Sequence, residues 1–141
     1  MIQRIQSVWL LLAAAAAFLS MQFPFYSGNI VDAGQAKHFA YFTAKSHTLL
    51  TILTAGVGIA ALVTIFLFKN RKQQFRITLI TLLVSVINLV LFFTQSKTFV
   101  PGEGNYNLTA IFAIIVPVFL IMAMRGIRRD EKLVKSLDRL R

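Results

Sequence analysis

The sequence predicts an all-α membrane protein, a four-helix transmembrane bundle that ends in a C-terminal cytoplasmic amphipathic helix. Three observations lead there. Residues 5–31, 46–68, 77–96 and 104–124 contain no Asp, Glu, Lys or Arg, and each stretch can cross a hydrocarbon layer that takes about 20 apolar residues at about 1.5 Å rise each. Hydrophobic residues make up 57% of the chain and the mean hydropathy is +0.70, above the roughly 45–50% apolar content of soluble domains. Positive charge, finally, gathers at one set of helix ends.

The expected organisation is a transmembrane domain over residues 1–124, with spans at about 5–26, 46–68, 77–96 and 105–124, and a basic helix over 125–141. The first span has some features of a secretory signal, with Arg4, an apolar run and Ala13 to Ala17. Its uncharged stretch continues through Phe23, Pro24, Phe25 and Tyr26, which is long for a signal and right for a span. It is read as the first helix.

Small and weakly polar residues recur at steps of three and four, which aligns them on one helix face. Gln3, Gln6, Leu10, Ala13, Ala17 and Ser20 form such a stripe in the first helix, and His47, Thr51, Thr54, Gly58 and Ala61 form one in the second. The third offers Thr78, Thr81, Ser85 and Asn88. Lipid is as apolar as Leu, so helices associate in it through close backbone approach and interhelical hydrogen bonds, and these faces should point inward. Pro117 removes a backbone hydrogen bond near the middle of the fourth helix and should bend it.

The 27–45 connection reads either as a small hairpin or, from Gln35 on, as an extension of the second helix with Phe39, Tyr41 and Phe42 at head-group depth. Trp9 would belong to the opposite aromatic belt. Pro101, Gly102, Glu103 and Gly104 read as a turn. In the tail, Ile127, Leu133, Val134, Leu137 and Leu140 share a helical face, and Glu131 precedes Lys135 by four residues, a favourable pair. This segment either continues the fourth helix or bends from it at Gly126.

Cytoplasmic connections retain Lys and Arg, and translocated ones are depleted of them. Arg4, Lys69, Arg71, Lys72, Arg76 and the seven basic residues from Arg125 to Arg141 would lie on one side, with Lys37, Lys45 and Lys97 on the other. Both termini are therefore expected in the cytoplasm, and the protein in a bacterial inner membrane. Topology accounts for the net charge of +10, so no nucleic-acid partner is expected. Lys69, Arg71, Lys72, Arg76, Arg128, Arg129, Lys132 and Lys135 are the candidate contacts for membrane lipids, a protein partner or a second copy.

The opening Met1-Ile-Gln-Arg-Ile-Gln6, the basic run from Phe68 to Ile77, Pro117 and the tail from Ile127 to Arg141 together resemble a domain-of-unknown-function family of small four-span membrane proteins found chiefly in Bacteroidetes. The resemblance covers the whole chain and is most specific at its two ends. The 27–45 connection looks shorter than in typical members. The resemblance implies the topology and no activity.

Nothing in the sequence points to catalysis. With no cysteine there are no thiolate ligands or nucleophiles, and no acid lies within a span: Asp32, Glu103, Asp130, Glu131 and Asp138 all fall outside. Asp32, His38 and His47 are too dispersed to define a metal site. No nucleophile elbow or phosphate loop occurs. Neither a cofactor nor a metal is expected. The expected function is that of a non-catalytic accessory or assembly component with a basic cytoplasmic face. The alternative is a small oligomeric transporter or channel lined by the Thr and Asn stripes.

Overall fold

The computed structural model describes residues 3–34 and 36–141, with the backbone alone at Gln3 and Arg4. Four helices form the body: α1 (Gln3–Gln22), α2 (Thr48–Phe66), α3 (Arg71–Ser96) and α4 (Ile111–Arg139). Each is long and apolar enough to cross a membrane. In cross-section they form a ring in which α1 touches α2 and α4, and α3 touches the same two, so α1 and α3 stand diagonally opposed.

The striped faces point inward. Gln6, Leu10, Ala13, Ala17 and Ser20 of α1, Thr54, Gly58 and Ala61 of α2, and Thr78, Thr81, Ser85 and Asn88 of α3 are all buried. His47 departs from its predicted stripe: it precedes the first turn of α2 and is exposed. The side chain of Gln3 lies outside the described residues. Leu, Ile, Val and Phe fill much of the outer surface, with Ile52, Ile80 and Val90 more than half exposed. An apolar exterior around a partly polar interior suits a solvent of lipid.

The connection between α1 and α2 is a hairpin. β1 (Tyr26–Val31) pairs antiparallel with β2 (Lys37–Phe42), Tyr26 opposite Phe42. A third strand that the sequence did not suggest, β3 (Gly104–Tyr106), joins the other edge of β1. Gly28 lies opposite Gly104 in that pairing, and a Cβ on Gly28 would stand 2.7 Å from the Gly104 Cα. Only glycine lets the two strands come so close. The turn before β3 uses Gly102 at φ +80°, a backbone region that side chains disfavour.

The sheet caps the end of the bundle opposite the termini, over an aromatic core. Phe25 stacks on Phe92 at 4.7 Å between ring centres, and Phe42 meets both Phe92 and Phe99 edge-on. Phe42 is thus a core residue and not a head-group anchor, because hairpin pairing turns it toward the bundle. Phe39 and Tyr41, on the same strand, remain exposed.

Helices α3 and α4 run well past their charge-free stretches. α3 begins at Arg71, six positions before the expected span, because Asn70 caps it by accepting from the Gln73 amide at 3.3 Å. Gln74 in its first turn is buried and donates to the Thr64 carbonyl at 3.2 Å, satisfying the frayed end of α2. α4 is one continuous helix through Pro117 and Gly126, so the tail continues the fourth helix.

Candidate functional site at the terminal end of the bundle

Most of the helix surface that faces the bundle is apolar or weakly polar, and among the described residues one ionisable side chain breaks that pattern. Asp130 is 4% exposed. It lies on α4 six residues beyond Met124, where the charge-free stretch ends. The spacing explains its burial: Ala113, Val116, Leu120, Ala123, Ile127 and Asp130, at alternating steps of three and four, form one inward seam.

The Gln6 side-chain amide donates to Asp130 Oδ2 and also to the Gly126 carbonyl, the latter at 3.1 Å. Arg71 Nη1 donates to the Asp130 carbonyl at 2.8 Å. Three helices therefore meet at this residue. Asp130 Oδ1 is buried without a hydrogen-bond partner among the described residues. Burial pushes the carboxyl above its ordinary pKa range, opposed by the positive charges of Arg71 and Arg129. Gly126 is required for close approach, because a Cβ there would stand 2.8 Å from Gln6 Cγ.

Beyond Asp130 the seam leaves the bundle. Leu133 and Val134 are each 41% exposed, Leu137 63% and Leu140 84%. The predicted apolar face of the tail is thus divided: Ile127 is fully buried in the bundle, and the other four residues are presented outward. Glu131 and Lys135 pair at 2.9 Å, and this contact holds the Glu131 carboxyl below its usual range.

The candidate basic residues all sit at this end, in different settings. Arg71 is occupied by the Asp130 carbonyl, Arg128 lies over the Phe75 ring at 4.7 Å, and Lys135 pairs with Glu131. Lys69, Lys72, Arg76, Arg129 and Lys132 are exposed and make no hydrogen bond or ion pair among the described residues. They form the free cationic surface.

At the sheet end, Asp32 and His38 pair at 3.2 Å. Among the described residues no group of three or more metal-ligating side chains comes together. Lys37 binds Glu103 at 2.8 Å and Asn29 donates to the same carboxylate at 3.2 Å, tying the hairpin to the turn before β3 and holding the Glu103 pKa below its usual range. In the middle of the bundle, Asn88 Nδ2 donates to Thr54 Oγ1 at 2.9 Å.

The burial of Asp130 and its contact with Gln6 escaped the sequence reading. The signal was the three-and-four spacing, which runs past Ile127 to Asp130 and which the run of charges around it conceals. Four apolar helices, a polar tie between helices and a knot just past the spans define a multi-pass helical membrane protein. The chain belongs to the family described as Domain of unknown function (DUF4293), which matches residues 2–140. No curated protein and no solved structure matches it.

Proposed function

We propose that this protein is a non-catalytic accessory or assembly component of a bacterial inner membrane, with both termini in the cytoplasm, that holds a partner through the exposed end of α4. One observation carries this reading: the packing seam of α4 overruns its own bundle. Val134 and Leu137 continue the register that buries Ile127 and Asp130, yet they face outward.

The occupant that suits this surface is a protein helix with an apolar stripe and acidic flanks. Residues 125–141 carry seven basic and three acidic side chains, so a second copy in parallel would meet like charge. Membrane lipid fits less well, since α4 continues unbroken for 15 residues after Met124, about 22 Å along its axis. Lipid head groups are the expected partners of Lys69, Lys72 and Arg76, which lie nearer the spans.

The test is native mass spectrometry of the protein extracted in gentle detergent, comparing wild type with a Leu137→Ser, Leu140→Ser variant and a Lys132→Glu, Lys135→Glu, Arg139→Glu variant. The reading expects a companion protein that both variants lose while the bundle stays folded. Identical companions in all three would overturn it. The second reading, a small oligomeric transporter or channel, draws on the Asn88–Thr54 hydrogen bond inside the bundle. It expects solute flux in reconstituted vesicles that changes with Asn88→Leu and Thr54→Val.

A further inference from the structure

We propose that the centre of the bundle binds a single water molecule as a fixed part of the fold. The site is a cavity of about 10 Å³ lined by Ser20, Thr54, Ser85 and Asn88, with Ala113 and Val116 of α4 in its wall. That is about the room one water needs. Small residues at the contact of four helices leave such a gap without defining a ligand; the hydrogen-bond inventory of its walls defines one.

Asn88 is 8% exposed, and its Oδ1 is buried with no donor from the protein. Its Nδ2 is already committed to Thr54. The Ser20 hydroxyl donates to the Ala17 carbonyl at 2.6 Å and the Ser85 hydroxyl to the Leu82 carbonyl at 2.7 Å, each within its own helix. Both hydroxyl oxygens keep lone pairs and have no proton to offer. The walls thus present three acceptors, Asn88 Oδ1, Ser20 Oγ and Ser85 Oγ, and one donor, the Thr54 hydroxyl. Exchanging O and N of the Asn88 amide changes the roles but still leaves one polar atom of that amide unpaired.

One water can donate to Asn88 Oδ1 and Ser20 Oγ and accept from the Thr54 hydroxyl, while the Ser85 hydroxyl is already bonded within its own helix. A metal cation does not, because no carboxylate lines the cavity and an uncompensated charge at that depth is costly. An apolar occupant would leave the Asn88 oxygen unpaired in a low-dielectric interior. The bound water links α1 to α3 across the diagonal of the ring, where the two helices have little direct contact, and α2 through Thr54.

The experiment is solid-state NMR of the full chain in lipid bilayers, reading magnetisation transfer from water to the Asn88 side-chain amide. Wild type should give a transfer peak at Asn88 that persists with slow exchange into D2O buffer, and Ala113→Val, which fills the cavity, should abolish it. Absence of the wild-type peak, with transfer still seen at an exposed control such as Asn105, would overturn the proposal. So would a peak that exchanges as fast as bulk water, which would mean a hydrated path. Thermal midpoints of the wild type in sodium and in choline buffers supply the remaining arm: equal values are expected, and a sodium-dependent rise would assign the site to a cation instead. If Ala113→Val does not fold, the wild-type spectrum and the ion comparison decide alone.

Discussion

The side-chain amide of Gln6 on the first helix donates to the buried carboxylate of Asp130 on the last. The two are 124 positions apart, and their contact joins the start of the chain to the last turn of α4 that the bundle still covers. Arg71 reaches the same residue from α3. The knot therefore fixes the point at which α4 leaves the bundle, and from Lys132 to Arg139 the helix is exposed. A partner held by that helix, as proposed, would be mechanically coupled to α1 and α3 through one buried acid.

Stability should depend on pH through Asp130. Its pKa is raised in the folded state, so the folded protein binds this proton more tightly than the unfolded chain. The resulting stabilisation is complete below the unfolded carboxylate value of about 3.9 and is lost as pH rises through the raised folded value. Asp130→Asn keeps an acceptor for Gln6 and removes the charge. Thermal unfolding in detergent should place it above wild type where the carboxylate is ionised, with the gap closing toward low pH. A variant less stable than wild type at every pH would show that the knot needs the charge.

The contact between Gly126 and Gln6 predicts a double-mutant signature. Gly126→Ala puts a methyl group 2.8 Å from Gln6 Cγ and should cost about 1–3 kcal/mol by overpacking. Gln6→Ala removes the obstructing atom, so Gly126→Ala should cost far less in that background. Equal costs in both backgrounds, measured by thermal midpoint, would mean that α1 and α4 do not approach closely here.

Much of this architecture was legible because lipid imposes simple rules. Uninterrupted apolar length gave the four spans, and three-and-four spacing of small residues gave their inward faces, whereas the choice of Thr54 as the partner of Asn88 is visible only in the packed helices. Hydropathy reports the part of a helix that suits lipid rather than its full extent, which is why the α3 start at Arg71 lay hidden behind Lys72 and Arg76. β3 was illegible for another reason: three residues are too few to show strand alternation, and its pairing partner lies some 80 positions earlier, with Tyr26 opposite Tyr106. Burial of Phe42 depends on the same hairpin. The candidate basic surface was legible as a group, but geometry alone reveals that Arg71, Arg128 and Lys135 are already engaged within the chain.

The sheet end should be more sensitive than its small area suggests. Phe92 is fully buried and carries both the Phe25 stack and the Phe42 edge contact. Phe92→Ala should cost about 3–5 kcal/mol and loosen the hairpin in particular. Hydrogen exchange checks this: amides of 26–42 should lose protection well before those of the terminal half of α1. Uniform loss along the chain would mean that the sheet and the bundle are one cooperative unit.

The orientation can be read without background, because the chain contains no cysteine. Ser136→Cys on the exposed end of α4 should resist a membrane-impermeant thiol reagent in intact cells, and Thr98→Cys beside the sheet should react. Disruption of the cells should expose both. The reverse pattern would invert the topology and move the proposed docking helix to the other side of the membrane.

Ile127 and Leu137 share a predicted face but should behave as opposites. Ile127 is fully buried where α4 still packs in the ring, and Leu137 is 63% exposed beyond Asp130. Ile127→Ser leaves a cavity and should destabilise the protein by about 2–5 kcal/mol, whereas Leu137→Ser should stay within about 0.5 kcal/mol of wild type. Unfolding of the purified protein measures both. A large loss from Leu137→Ser in the isolated chain would mean that the end of α4 packs on its own protein, and that face would no longer be free for a partner. A null effect in isolation, combined with loss of a companion in extracts, is the signature expected of a docking surface.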